Sequence, residues 1–407
     1  MTDYSKLEVL APAGDMERFN AAIQFGADAV YLGGKTFGMR SSPSNFDTEQ
    51  LETACKTAHA LGKKVYLTCN TLPKNNEIDS FEPFIKSAYD AGIDAAIVND
   101  IGLFSLVKQY TPDLEIHIST QAGIVNYVTA NAFYNMGAKR VVLARELSLD
   151  EIAEIRAKTP KELDIECFVH GAMCVSFSGR CLLSQYLINR DANRGECAQP
   201  CRWNYALMEE KRPNEFYPIA EDETGSYILN AKDMSMIEHL DKLAKAGITS
   251  FKIEGRAKSA YYVSVVTNAY KTAIEILKKN PENYELPQWV KDEVFKVSHR
   301  KYCTGFYFGH PKDCQYYENG GYVREYDVVA VVDKYEQGRA YCTQRNRFFE
   351  GDALEILCPN KEPIKYIANE IYNEQNERVS VANIATMKLS MPIAEEIPSG
   401  AIIRKAL

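Results

Sequence analysis

The sequence predicts an α/β protein: a (β/α)8, TIM-like barrel with a cysteine-bearing insertion, followed by a small C-terminal antiparallel β-barrel domain. Three observations predict it. A glycine followed by a short β-branched run recurs along the first two-thirds of the chain; amphipathic stretches separate those runs; and the texture changes beyond Pro281 and Pro287.

The strand-like runs are, in order, LEVLAPAG, FGADAVYLGG, LGKKVYLTCN, AGIDAAIVND, EIHISTQ, MGAKRVVLAR, DIECFVHG and AGITSFKIEGR. They do not alternate polar with apolar, as expected of parallel strands buried on both faces. Gly26, Gly62, Gly92, Gly137 and Gly247 stand where a helix should end in a left-handed cap. Stretches of helical period such as DMERFNAAIQFG, DTEQLETACKTAHALG and SLDEIAEIRAKTP lie between the runs, several opening on a capping Asp or Ser. Eight alternating pairs suit a closed barrel better than the open α/β sheet that is the alternative.

The domain reading follows. Residues 1–280 form the barrel, interrupted after the seventh strand by an insertion of about residues 173–246 that holds a hairpin, NYALMEE to SYILNAKDM, and one helix. Residues 281–324 form a linker with a connecting helix or hairpin. From 325 to 407 the runs are short, rich in Val, Ile and Tyr and divided by turn signals, which reads as a small antiparallel barrel. Tyr316, Tyr317 and Tyr322 suit either base stacking or ordinary β-domain packing.

The insertion carries the strongest chemical signal. Cys174, Cys181, Cys197 and Cys201 are spaced C-x6-C-x15-C-x3-C, with Gly171, Gly179 and Gly195 beside them to let the backbone wrap a compact cofactor. Structural zinc favours two tight C-x2-4-C knuckles, whereas iron-sulfur clusters accept wider, irregular spacings, so a cluster is preferred over zinc. Unrelated buried thiols are the third reading, and the scattered Cys55, Cys69, Cys167, Cys303, Cys314, Cys342 and Cys358 are read that way. Loops after barrel strands form the catalytic face, so the insertion would hang over the mouth.

Composition bounds the partners. No apolar run approaches the ~18 residues of a membrane span, and MTDYSKLEVLAPAGD has no basic and apolar leader, so a cytoplasmic, reducing location is expected. A net charge of −8 argues against a general nucleic-acid coat, leaving RNA to a local basic surface for which Arg180, Arg190, Arg194 and Arg202 are candidates. At the predicted strand ends stand Asn70, Asn99, Gln121, Arg145, His170, Glu254 and Arg256. His170, Glu254 and Arg256 are the catalytic candidates, and Asn70, Gln121 and Arg145 those for substrate binding. His170 suits acid–base work or a structural hydrogen bond; Arg145 and Arg256 suit a dicarboxylate, or ion pairs lining the barrel.

Read together, Glu166, Phe168, Gly171, Ala172, Cys174, Gly179, Cys181 and Ser184 resemble the signature E-x-F-x-x-G-[SA]-x-C-x-x-x-x-G-x-C-x-x-S of the collagenase-like U32 peptidase family. The opening LAPAGDMERFNAAIQFGADAVYLGG and the KIEGR segment resemble it too, so the likeness spans nearly the whole chain. The resemblance implies a four-iron cluster, [4Fe-4S], and oxygen-independent hydroxylation, in this family directed at transfer RNA wobble uridine, ribosomal RNA cytidine or the ubiquinone ring. Chain length and the C-terminal domain favour the transfer RNA branch, which forms 5-hydroxyuridine and requires prephenate. The implied partners are tRNA, prephenate and an electron-transfer partner of unidentified kind.

Two other classes stay open. A U32 peptidase is implied by the family name, although no H-E-x-x-H helix and no G-x-S-x-G elbow is present. A non-enzymatic RNA-binding factor with a structural metal site would be redox-silent.

Overall fold

The computed structural model describes residues 3–39, 44–174, 181, 183–192, 196–202, 220–222, 225–227, 231–309 and 322–407. Eight parallel strands, β1 (Glu8–Pro12), β2 (Ala29–Gly33), β3 (Lys64–Cys69), β4 (Ala95–Val98), β5 (Glu115–Ile118), β6 (Arg140–Val142), β7 (Asp164–Ala172) and β8 (Ser250–Ile253), pair in sequence order. β8 pairs with both β7 and β1, so the sheet is closed. These are the eight runs read from the sequence.

Local chemistry sets the connections. The Asp15 side chain accepts from the backbone N–H of Arg18, while Asp47 with Gln50 and Ser148 with Glu151 form reciprocal capping boxes that satisfy otherwise orphaned amides. Gly26, Gly62, Gly92, Gly137 and Gly247 all have positive φ, from 67° to 108°, as the helix-ending role requires. The main apolar core lies between the strands and the helices, and a smaller layer of Leu10, Ala29, Tyr31, Tyr66, Ala95 and Ile97 fills part of the barrel interior.

The insertion and the segment after the barrel differ from expectation. Within the insertion Ala220–Asp222 pairs antiparallel with Gly225–Tyr227, whereas the run NYALMEE lies outside the described residues. Asp233–Ser235 leaves the expected hairpin and pairs antiparallel with β7. Helix Leu240–Lys245 leads directly into β8 and is therefore the barrel's own helix. Within 281–309 the expected connecting helix is Gln288–Glu293, and the segment packs on the barrel. Val290, Val294 and Val297 form an apolar stripe at helical spacing and are buried, and Tyr302–Cys303 pairs with Asp233–Ser235 as a further strand of the barrel sheet.

Residues 326–406 form an eight-stranded antiparallel sheet curled around its own core, which includes Val332, Phe348, Ile356, Ile371, Met391 and Ile403. Two register shifts in the long strand Tyr326–Glu336 supply the bend. Arg404 on the last strand joins the two domains: its guanidinium lies 2.5 Å from Glu293 Oε1 and 2.7 Å from Glu355 Oε2. Among the described residues, no helix is long and apolar enough to cross a membrane.

Candidate active site at the barrel mouth

The C-terminal ends of the strands enclose a cavity of about 80 Å³, and five of the six side chains read as catalytic or substrate-binding line it: Asn70, Gln121, Arg145, Glu254 and Arg256. They come from four different strand ends, those of β3, β5, β6 and β8, yet the barrel brings them to one place. Arg256 Nη1 donates to Thr68 Oγ1 at 3.0 Å. Gly33 makes that possible, because a Cβ there would lie 2.1 Å from the same nitrogen. Arg145 donates to the Ala172 carbonyl at 2.7 Å, stacks 3.9 Å above Phe168 and faces Glu254 at 4.0 Å. Tyr31 donates to the Ile253 carbonyl at 2.9 Å and approaches Glu254 Oε2 at 3.4 Å. Asn70 Oδ1 accepts from the Met39 amide, and Gln121 Oε1 is buried with no hydrogen-bond partner among the described residues.

Sequence reasoning missed the floor of this cavity. Lys252 lines it, with its ammonium 2.6 Å from Glu166 Oε1 and 4.5 Å from the centre of the Tyr31 ring. Below it, Arg140 reaches Glu8 at 2.7 Å, Glu166 at 3.2 Å and Ser250 at 3.1 Å. Burial raises the Glu166 and Glu8 carboxyls, but the adjacent Lys252 and Arg140 outweigh it and hold both below the usual range. The available signal was inward alternation along strands: Glu166 and Phe168 on β7, Ser250 and Lys252 on β8. Three cations against Glu254 at the rim give a field suited to an anionic or oxygen-rich ligand, and Gln121 Oε1 adds an acceptor for an N–H.

His170 is set apart from this cavity. Between Lys252 and Ile253 the pairing with β7 slips by one residue, so Lys252 faces Phe168 but Ile253 faces His170. The bulge turns His170 toward the outer helix layer. It is fully buried, 3.3 Å from both the Tyr270 and the Tyr302 hydroxyl, and desolvation lowers its pKa to about 3. Asn99 is likewise absent from the cavity lining.

Apart from Cys303, which is partly exposed on its short strand, the described cysteines fall into two groups. Cys55, Cys69, Cys167, Cys342 and Cys358 are buried, and burial pushes each thiol up, which suits inert packing. Cys174 and Cys197 are exposed and Cys181 and Cys201 partly so. Cys174 stands two residues beyond the end of β7, and Gln199, between Cys197 and Cys201, lines a cleft with Ala172 and Glu254 at the barrel rim. The Ala198 amide donates to Ser184 Oγ at 3.1 Å, tying this segment to helix Leu183–Ile188. Among the described residues no three His, Cys, Asp or Glu side chains are gathered closely enough to hold a metal. Four accessible thiols nevertheless form the donor set that an iron-sulfur cluster takes. Arg190 is exposed; Gly179, Arg180, Arg194, Gly195, Cys314, Tyr316 and Tyr317 lie outside the described residues, and the side chain of Arg202 is not described.

The chain matches the family model described as Peptidase family U32 over residues 14–316 and that of the Peptidase family U32 C-terminal domain over residues 324–404. It is 34% identical over 403 residues to tRNA hydroxylation protein P1 of Bacillus subtilis, covering 98% of this chain and 95% of that protein. It is 35% identical over 435 residues to tRNA hydroxylation protein P of Escherichia coli, covering 96% and 95%. A Collagenase of Porphyromonas gingivalis is 36% identical over 313 residues, covering 74% of this chain and 73% of that protein.

Proposed function

The chain belongs to peptidase family U32, and on that premise we propose that it takes part in hydroxylating the wobble uridine of tRNA to 5-hydroxyuridine. The observation that carries the reading is similarity to two tRNA hydroxylation proteins over nearly the full length of each partner, C-terminal domain included. The barrel-mouth cavity supports it chemically. Lys252, Arg145 and Arg256 would bind oxygen-rich groups, and Gln121 Oε1 would accept the N–H of a base edge.

Cys174, Cys181, Cys197 and Cys201 would hold a [4Fe-4S] cluster, which when bound supplies one-electron chemistry beside the mouth. Prephenate, a dicarboxylate, is the metabolite proposed for the cationic cavity, with Arg145 and Arg256 as its paired donors. Glu254 lies between Arg145 and Tyr31, where it orients the guanidinium and can exchange a proton with a bound ligand. The buried Lys252–Glu166 pair fixes the cavity floor.

The test is genetic and chemical. In a strain lacking the gene and any second copy, mass spectrometry of tRNA nucleosides should register loss of 5-hydroxyuridine derivatives, restored by the wild-type chain but not by Cys174→Ala. Unchanged nucleosides would overturn the reading. Cleavage of a collagen peptide by the purified chain in that case would support the peptidase alternative that the Porphyromonas relative represents.

A further inference from the structure

We propose that the cleft between the barrel mouth and the C-terminal domain binds an unpaired nucleotide of the RNA chain, stacking its base on tyrosine and its phosphate against Lys258; the inference rests on the RNA-directed reading above. The cleft measures about 650 Å³. Glu254, Lys258 and Tyr261 line it from the barrel side, and Tyr322, Arg324 and Asn346 from the segment leading into and within the C-terminal domain.

Its chemistry is a particular combination. Four tyrosines, at 261, 262, 322 and 326, contribute to the walls, and the Tyr322 ring is 43% exposed. The Lys258 ammonium sits 4.4 Å from the centre of the Tyr322 ring and 5.3 Å from that of Tyr262, with no carboxylate partner among the described residues. The acids nearby are already engaged: Asp327 by Arg324, and Glu254 by Arg145. What remains among the described residues is a cation without a carboxylate beside a partly exposed tyrosine ring, over which Arg300 also lies at 4.6 Å; cations with aromatic rings are how proteins hold single-stranded nucleic acid.

The cleft also adjoins the site. Glu254 borders both the cleft and the inner cavity, and Gln199 brings the cysteine segment to the cleft's edge. A nucleotide held on Tyr322 therefore leaves its neighbour at the entrance of the cavity.

Fluorescence anisotropy of the full chain with a labelled single-stranded oligouridylate tests this. Lys258→Ala should weaken binding roughly tenfold at low salt and flatten the dependence of log K on log salt by about 0.7, the loss of one phosphate contact. Tyr322→Ala should cost roughly tenfold while Tyr322→Phe keeps affinity, because stacking needs the ring and not the hydroxyl. Thermal unfolding of each variant identifies those that remain folded. If the parent binds RNA and folded Lys258→Ala and Tyr322→Ala bind it equally well, the cleft assignment alone is overturned. If the parent binds no RNA, the RNA-directed reading itself falls. Displacement of the oligouridylate by a gelatin peptide would make the cleft a peptide site and would also overturn the proposal.

Discussion

Glu8, Arg140, Glu166 and Lys252 inside the barrel and Arg404, Glu293 and Glu355 between the two domains are built from the same chemistry, yet the first cluster reaches the mouth cavity through Lys252 and the second does not. In the second, Arg404 and Glu293 are fully buried, Lys296 closes the set at 3.1 Å from Glu293, and every charge faces another charge. In the first, Lys252 has a carboxylate below it and the cavity above it. Burial and pairing alone therefore do not mark a functional charge. If adjacency to an accessible space is what does, the two clusters should respond differently to loss of one member.

The largest effect belongs to the closed cluster. Arg404→Met leaves Glu293 with Lys296 alone and should cost roughly 3–5 kcal/mol of stability, read as a lowered urea midpoint, because a buried charge loses its main partner. In cells grown cool enough to keep the variant folded, tRNA hydroxylation should persist. Loss of hydroxylation at full stability would erase the distinction between the clusters.

Lys252→Met should add a loss of activity. Glu166 keeps Arg140 at 3.2 Å as Glu293 keeps Lys296, so a stability cost of the same order is expected and activity is read at a temperature where the variant stays folded; the difference is that the cavity also loses a preorganised cation. The rate of 5-hydroxyuridine accumulation should fall roughly 10²-fold, the usual cost of removing one such donor. An unchanged rate would reduce this cluster to a structural one.

His170 offers a third contrast, since it is buried like Glu166 but points away from the cavity. Its folded pKa is lowered from 6.5 to about 3 by desolvation, so below pH 6.5 the unfolded chain binds a proton that the folded chain does not. Its contribution is therefore fully present above pH 6.5 and is lost as pH falls toward 3. At pH 5 the loss amounts to ~2 kcal/mol. His170→Gln should flatten the fall in urea midpoint between pH 7.5 and 5 by about that amount, without shifting the pH profile of hydroxylation. A shifted activity profile would return His170 to the catalytic group.

That residue also marks where the sequence stopped being legible. The eight strands could be read because each glycine cap and unalternating run is a local property, and the five mouth residues followed from strand ends. A bulge is not local. Inward alternation through Glu166 and Phe168 would carry His170 inside, and only the pairing with β8 reveals the slip. Lys252 and Arg140 were passed over for a related reason: a lone cation in a strand gains meaning only from the carboxylates that closure of the barrel sets opposite it. After residue 280 the connecting helix was legible and is there, Gln288–Glu293, but its packing was not: Pro281 and Pro287 resemble linker punctuation, while the stripe of Val290, Val294 and Val297 carries the signal.

Gly171→Ala probes the seam between the two sides of β7. Gly171 has φ of 107°, and a Cβ there would lie 2.6 Å from the Glu254 carbonyl oxygen. The substitution should cost at least ~1 kcal/mol and displace Glu254 from Arg145, lowering hydroxylation as well as stability. A loss confined to stability would separate Glu254 from the reaction.

The smallest effect is expected at Cys342. The contrast between open and sealed chemistry also separates two of the cysteines: Cys174 is exposed, whereas Cys342 is buried in the C-terminal core with its thiol pushed up by desolvation. Alanine at 342 removes one sulfur from a packed site and should cost roughly 1 kcal/mol or less. Iron and sulfide in anaerobically purified protein should stay at the wild-type level, while Cys174→Ala loses both. If Cys342→Ala lost iron as fully as Cys174→Ala, accessibility would not be what separates ligand from packing, and the assignment of the four insertion thiols would fail with it.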